Sequence, residues 1–138
     1  MAKILKPLCL TPKGGEIWEL TSDFVVQLND GTIITILAGY ASDGQSGNKI
    51  ITSLLTNYDS YQEEAAYPHD ICYQAGIEKG WCDAMYMEIL KARLTEDEAE
   101  KRYAAVHWFG EQAYTMDQAD MLKKAAATQH LRISFPTA

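Results

Sequence analysis

Three cysteines in 138 residues are too few for the disulfide framework of a small secreted domain, and none belongs to a paired Cys-x-x-Cys unit of the kind that holds zinc. Cys9, Cys72 and Cys82 therefore read as reduced cytosolic thiols. Basic residues are also scarce: 12 Lys and Arg stand against 19 Asp and Glu, a formal charge of -7. A polyanion needs a concentrated basic face, so nucleic acid is excluded as a partner, and adsorption to anionic lipid is opposed. No apolar run approaches the roughly 20 residues that span a bilayer, which predicts no transmembrane segment. The start, Met1 to Leu8, is basic but has no sustained apolar stretch and no cleavage site, so Sec-dependent export is not expected.

What is present points to a soluble α+β protein, with 47% hydrophobic and 22% charged residues. Repeats, low-complexity tracts and linkers are lacking, and one domain over residues 1–138 is expected: 1–38 rich in β signals, 39–48 a glycine-rich loop, and 49–130 helical. The β signals are Ile17-Trp18-Glu19-Leu20, Phe24 to Leu28 and Thr32 to Leu37, read as a small antiparallel sheet. Asn29-Asp30-Gly31 joins the last two, and Asp-Gly between β-branched runs marks a hairpin because the turn needs positive φ. Residues 39–48 carry three glycines and short polar side chains, a backbone able to turn sharply and expose carbonyls and amides.

Helical spacing starts at Lys49 and ends near Asn57. A second helix from about Ser60 to Ala75 contains Pro68, which predicts a kink or a fresh start before His69. Gly76 and Gly80 bracket a turn, followed by a helix from Trp81 to Leu94. Thr95 with Glu98 reads as a capping box opening a further helix, which runs past Phe109 with Gly110 as a local bend. A last helix covers about Asp117 to Thr128, and Leu131 to Pro136 suggests an edge strand.

The chemistry concentrates on the turn at 76–80. In an antiparallel helical pair, residues equidistant from the turn lie opposite each other; His69 and Asp83 then face one another, as do Cys72 and Cys82. Cys72 and Tyr73 follow His69 by three and four residues and share its face. An imidazole, a phenol and a carboxylate would converge. Such a trio suits general-base catalysis, with Asp83 orienting His69 and stabilising the imidazolium while Tyr73 steadies Asp83. Asp70 lies about 100° around the helix and faces elsewhere. With carbonyls of the 39–48 loop, Tyr40 and Gly44 among them, it could hold a hard cation such as Ca2+.

His69-Asp70-x-Cys72-Tyr73 followed by Cys82-Asp83 resembles the signature of secreted phospholipases A2, with the parvoviral phospholipase domain similar in scale. The resemblance implies His69 as base, Asp70 as calcium ligand, Asp83 as orienting acid with Tyr73 in support, and a Cys72–Cys82 disulfide. The cysteine-dense calcium loop of that family is missing here. Over roughly residues 16–115 the chain also resembles a phage-encoded family of small proteins of unknown function, often found among virion and tail genes. The residues that carry this likeness are Trp18, Gly39-Tyr40-x-Ser42-Asp43-Gly44-x-Ser46, Ala65-Ala66-x-x-His69-Asp70-x-x-Tyr73, Asp83 and Tyr103-x-x-Val106-x-x-Phe109-Gly110. It implies a bacteriophage or prophage source, and a place in the virion or the host cytoplasm.

Plainer readings accompany the sharp ones. Asp70 can cap a helix that restarts after Pro68, Asp83 can sit in a first helical turn to complement the dipole, and Asp43 and Ser46 can be turn formers or a helix cap. His107 and His130 read as structural. Two functions follow: ester hydrolysis of host phospholipid, assisted by calcium, or a non-catalytic virion, tail or assembly component whose partners are other phage proteins, with the same residues forming a buried polar network. Self-association is compatible with either.

Overall fold

A computed structural model describes residues 1–15, 17–42, 60–109 and 111–136. The order is β1 (Lys3–Lys6), β2 (Leu10–Gly14), β3 (Ile17–Leu20), β4 (Phe24–Gln27), β5 (Ile33–Ile36), β6 (Ala41–Ser42), α1 (Ser60–Gln74), α2 (Lys79–Lys91), α3 (Glu96–Phe109), α4 (Glu111–Ala119), α5 (Met121–His130) and β7 (Leu131–Ser134). The fold is α+β, with an N-terminal antiparallel region followed by helices, and among the described residues no helix is long and apolar enough to cross a membrane. The helix expected from Lys49 to Asn57 lies outside the described residues.

The expected small sheet is in fact two. β1, β4, β5 and β7 form one antiparallel sheet in the order β1-β4-β5-β7, and β2, β3 and β6 form a second. Alternation decides the first: Phe24 and Val26 on β4 and Ile34 and Ile36 on β5 are fully buried, while the residues between them are half-buried. The β4–β5 hairpin closes with Leu28 N–H on Thr32 O at 2.8 Å, leaving Asn29, Asp30 and Gly31 as a three-residue loop. Gly31 takes φ +94, the left-handed position such loops require, and Asp30 accepts the Thr32 amide at 2.9 Å. The carboxyl pKa of Asp30 is lowered by its hydrogen bonds from Thr32. β7 pairs with β5 at the sheet edge, so the C-terminal strand expected there returns to the N-terminal sheet.

α1 runs through Pro68 without a break, so of the two expected alternatives the fresh start is excluded. Ala65, Tyr67, Ile71, Cys72 and Tyr73 are all fully buried. Packing on that scale outweighs the roughly 3 kcal/mol a proline costs inside a helix. Asp70 is consequently mid-helix and caps nothing. The helix ends in a Schellman motif: Ile77 N–H bonds to Cys72 O at 3.0 Å, Gly76 N–H to Tyr73 O at 3.1 Å, and Gly76 takes φ +85. Four residues separate α1 from α2, whose first turn is held by Glu78 accepting the amides of Gly80 and Trp81, both at 2.9 Å. With Glu78 in that role, Asp83 lies beyond the first turn and turns inward. Thr95 Oγ1 accepts the Glu98 amide at 3.3 Å, which realises that half of the expected capping box. Asp120 caps α5 by accepting from Lys123 N–H at 3.0 Å, so the last helix begins later than expected and Asp117 belongs to α4.

Candidate functional site

The Schellman turn folds α2 back along α1 and brings the expected trio together. His69 Nε2 lies 2.7 Å from Asp83 Oδ1, and the Tyr73 hydroxyl donates to the same oxygen at 2.5 Å. His69 is 4% exposed and Asp83 0%. The imidazole is walled by aromatic rings, with Tyr73 at 4.0 Å and Tyr86 at 5.0 Å between centroids, and Tyr114 packs edge-on against Tyr73.

Two residues at this centre were not anticipated. Lys79 Nζ donates to the other oxygen, Asp83 Oδ2, at 2.7 Å, and also to the His107 carbonyl at 3.2 Å. The His107 ring, read as structural from sequence, stands with Nδ1 3.8 Å from Asp83 Oδ2. The i,i+4 spacing of Lys79 and Asp83 was the available signal, but on most helices such a pair is a solvated surface contact.

Charge assignment follows from these contacts. Burial pushes the Asp83 carboxyl upward, yet hydrogen bonds from His69, Lys79 and Tyr73 outweigh it and hold its pKa below the usual carboxylate value. An ionised carboxylate only accepts, so the imidazole must place its proton on Nε2. For His69, burial is the largest influence and lowers its pKa; the bond to Asp83 pulls the other way, and the charge of Lys79 adds to the lowering. The resting centre is thus a lysine ammonium, an aspartate anion and a neutral imidazole whose Nδ1 carries the lone pair. Such a ring is a base with its tautomer fixed.

Asp70 occupies a different environment. It is 1% exposed and accepts a hydrogen bond from Ser42 Oγ across to β6. It also lines a cavity of about 280 Å³ with Tyr40, Gln74, Lys123 and His130, among others. His69 is not among the residues lining that cavity. Tyr67, two residues before His69 and three before Asp70, places its hydroxyl 2.9 Å from both the Trp18 and Ser42 carbonyls, which fixes the small sheet against α1.

The calcium expectation rests on Asp70, Tyr40 and Gly44. Of these, the Tyr40 carbonyl accepts Leu20 N–H at 2.8 Å, and its buried hydroxyl donates to Gln74 Oε1 at 3.0 Å. Burial first, and then the negative charge of Asp70, push the Tyr40 phenol well above its usual pKa. Gly44, Asp43 and Ser46 lie outside the described residues. Calcium takes about six to eight oxygens, usually with several carboxylates. Asp70 shares its cavity with a lysine and a histidine, and among the described residues no three His, Cys, Asp or Glu side chains gather as a metal site. The described donor set does not fit calcium.

The disulfide implied by resemblance is likewise replaced. Cys72 and Cys82 are neighbours, but both are free, buried thiols. Their mutual hydrogen bond, and after it burial, push the Cys82 thiol above its usual pKa. Cys82 Sγ also lies 3.5 Å from the Ile77 carbonyl.

No curated protein and no solved structure matches the chain. A family model does, over residues 18–110, from Trp18 on β3 through the hairpin and past the end of α3. The chain belongs to the family described as protein of unknown function DUF1353.

Proposed function

We propose that this protein is a phospholipase A2-like ester hydrolase in which His69 is the general base, acting on host phospholipid in a bacteriophage or prophage setting. The observation that carries the reading is the single Asp83 carboxylate receiving His69 at 2.7 Å, Tyr73 at 2.5 Å and Lys79 at 2.7 Å. Three charge-assisted bonds hold one acid in place and leave a neutral imidazole with Nδ1 as its basic atom. In the reaction, Nδ1 removes a proton from water as the water oxygen attacks the ester carbonyl. Asp83 stabilises the imidazolium so formed, and the same proton passes to the departing alkoxide, closing the cycle. No step is routed through calcium.

The test is release of fatty acid from phospholipid in mixed micelles over several headgroups, with and without a chelator. Hydrolysis by the full chain, reduced about 10²–10⁴-fold in His69→Ala with an unchanged circular dichroism spectrum, is the expected result. Absence of release with every headgroup, or wild-type rates in His69→Ala, would overturn it.

The near-complete burial of His69 and Asp83 favours a second reading. Here the same network fixes the helical hairpin of a virion, tail or assembly component. It predicts copurification with particle proteins, and loss of assembly in Asp83→Ala in step with loss of fold.

A further inference from the structure

The cavity beside Asp70 has its own chemistry. α1 contributes Asp70 and Gln74, α5 contributes Lys123, Ala126 and His130, and Ile17 of β3 is among the apolar residues that line it. Gln74 Oε1 is occupied by the Tyr40 hydroxyl, so its amide nitrogen supplies donors. His130 Nδ1 lies 2.7 Å from the Ala126 carbonyl and must donate to it, which leaves Nε2 of the neutral ring as an acceptor. One wall therefore carries a carboxylate and amide donors, and the other an ammonium and a ring acceptor. At about 280 Å³ the space is just under the roughly 300 Å³ at which pockets for drug-sized ligands begin.

We infer that this cavity binds a small zwitterion of the α-amino acid class, its ammonium received by Asp70 and His130 and its carboxylate by Lys123 and Gln74. A carboxylate and a lysine on opposite walls of one cavity match opposite charges on one ligand, whereas a bare divalent cation would gain from Asp70 and be repelled by Lys123. The tie from Ser42 holds Asp70 in position without a ligand. Ile17 and Ala126 offer apolar contact to a short side chain. This inference is independent of ester hydrolysis at His69, because His69 does not line the cavity.

The experiment is a thermal-shift screen of the full chain against the twenty free α-amino acids, followed by calorimetry of the strongest, of its decarboxylated amine and of its N-acetyl form. At least one amino acid should raise Tm. Its amine and N-acetyl forms should each bind about tenfold or more weakly, as should Asp70→Asn and Lys123→Met. Lys123 is exposed, so Lys123→Met keeps the fold and reads out binding even where Asp70→Asn does not fold. The inference is overturned if no amino acid shifts Tm, if Lys123→Met binds like the parent, or if Ca2+ competes with the amino acid and loses its own binding in Asp70→Asn.

Discussion

His69 and Asp70 are consecutive residues of one helix, about 100° apart around it, and the two sides they face are built on different principles. On the His69 side the described polar partners are side chains or carbonyls of the helical region: Asp83, Tyr73, Lys79 and His107. Lys79 balances the charge of Asp83, and His69 and Asp83 are almost wholly buried. On the Asp70 side a contact crosses from helix to sheet, to Ser42, and a cavity carries acid and base on different elements. A charge cluster satisfied by its own neighbours is set up to stabilise or to move a proton. A carboxylate beside open volume is set up to meet a ligand.

The contrast breaks most visibly when each acid is removed. Asp83→Ala should cost about 3–5 kcal/mol, because it leaves the Lys79 ammonium and the imidazole without the anion they share. Asp70→Ala, losing the tie to Ser42, should cost about 1–3 kcal/mol. Urea unfolding of both variants measures the difference, and equal losses would erase the distinction between the two sides. Next in size are the supporting hydroxyls. Tyr73→Phe removes a bond to an ion and should cost about 1.5–3 kcal/mol, and Ser42→Ala should cost no more than that.

Acid sharpens the comparison further. The folded His69 ring holds a proton less tightly than the unfolded ring, so as pH falls below about 6.5 the unfolded chain protonates first and stability declines until the folded ring follows. Asp83, with its folded pKa lowered, adds a second loss below about 3.9. Urea midpoints against pH should show the upper decline in the parent and a flatter curve in His69→Gln. The smallest effect is electrostatic: Lys79→Met removes a charge that lowers the His69 pKa, so the ring should titrate at higher pH by NMR. An unmoved or lower titration would remove Lys79 from the centre.

The centre was legible in the sequence because helical periodicity and a glycine turn at Gly76 fix which residues oppose one another. His69, Tyr73 and Asp83 converge by register alone. Lys79 was not legible, since spacing places it near Asp83 but only tertiary burial makes the pair part of a closed cluster. The tie of Asp70 to Ser42 joins residues 28 apart through a sheet edge, a contact that local pattern cannot encode. Strands β4 and β5 announced themselves by alternation around Asp30-Gly31. The separation of β3 into a second sheet did not, because β2 contains Pro12 and lacks a buried alternating face, and β6 has only two residues. Pro68 left a fresh start open because its local penalty is real, while the packing that carries α1 through it is nonlocal.

Tyr67 ties these regions together. Trp18 and Ser42, whose carbonyls its hydroxyl reaches, are register partners across β3 and β6. β6 has two residues, little ladder to hold its place by itself. The phenol therefore acts as a latch, and its removal should lower the free energy of local opening in the small sheet while the larger sheet stays closed. Amide exchange at β3 would quicken without global unfolding. Each such opening would carry Ser42 away from Asp70, so the stability of a three-stranded sheet would set how firmly one wall of the cavity is held.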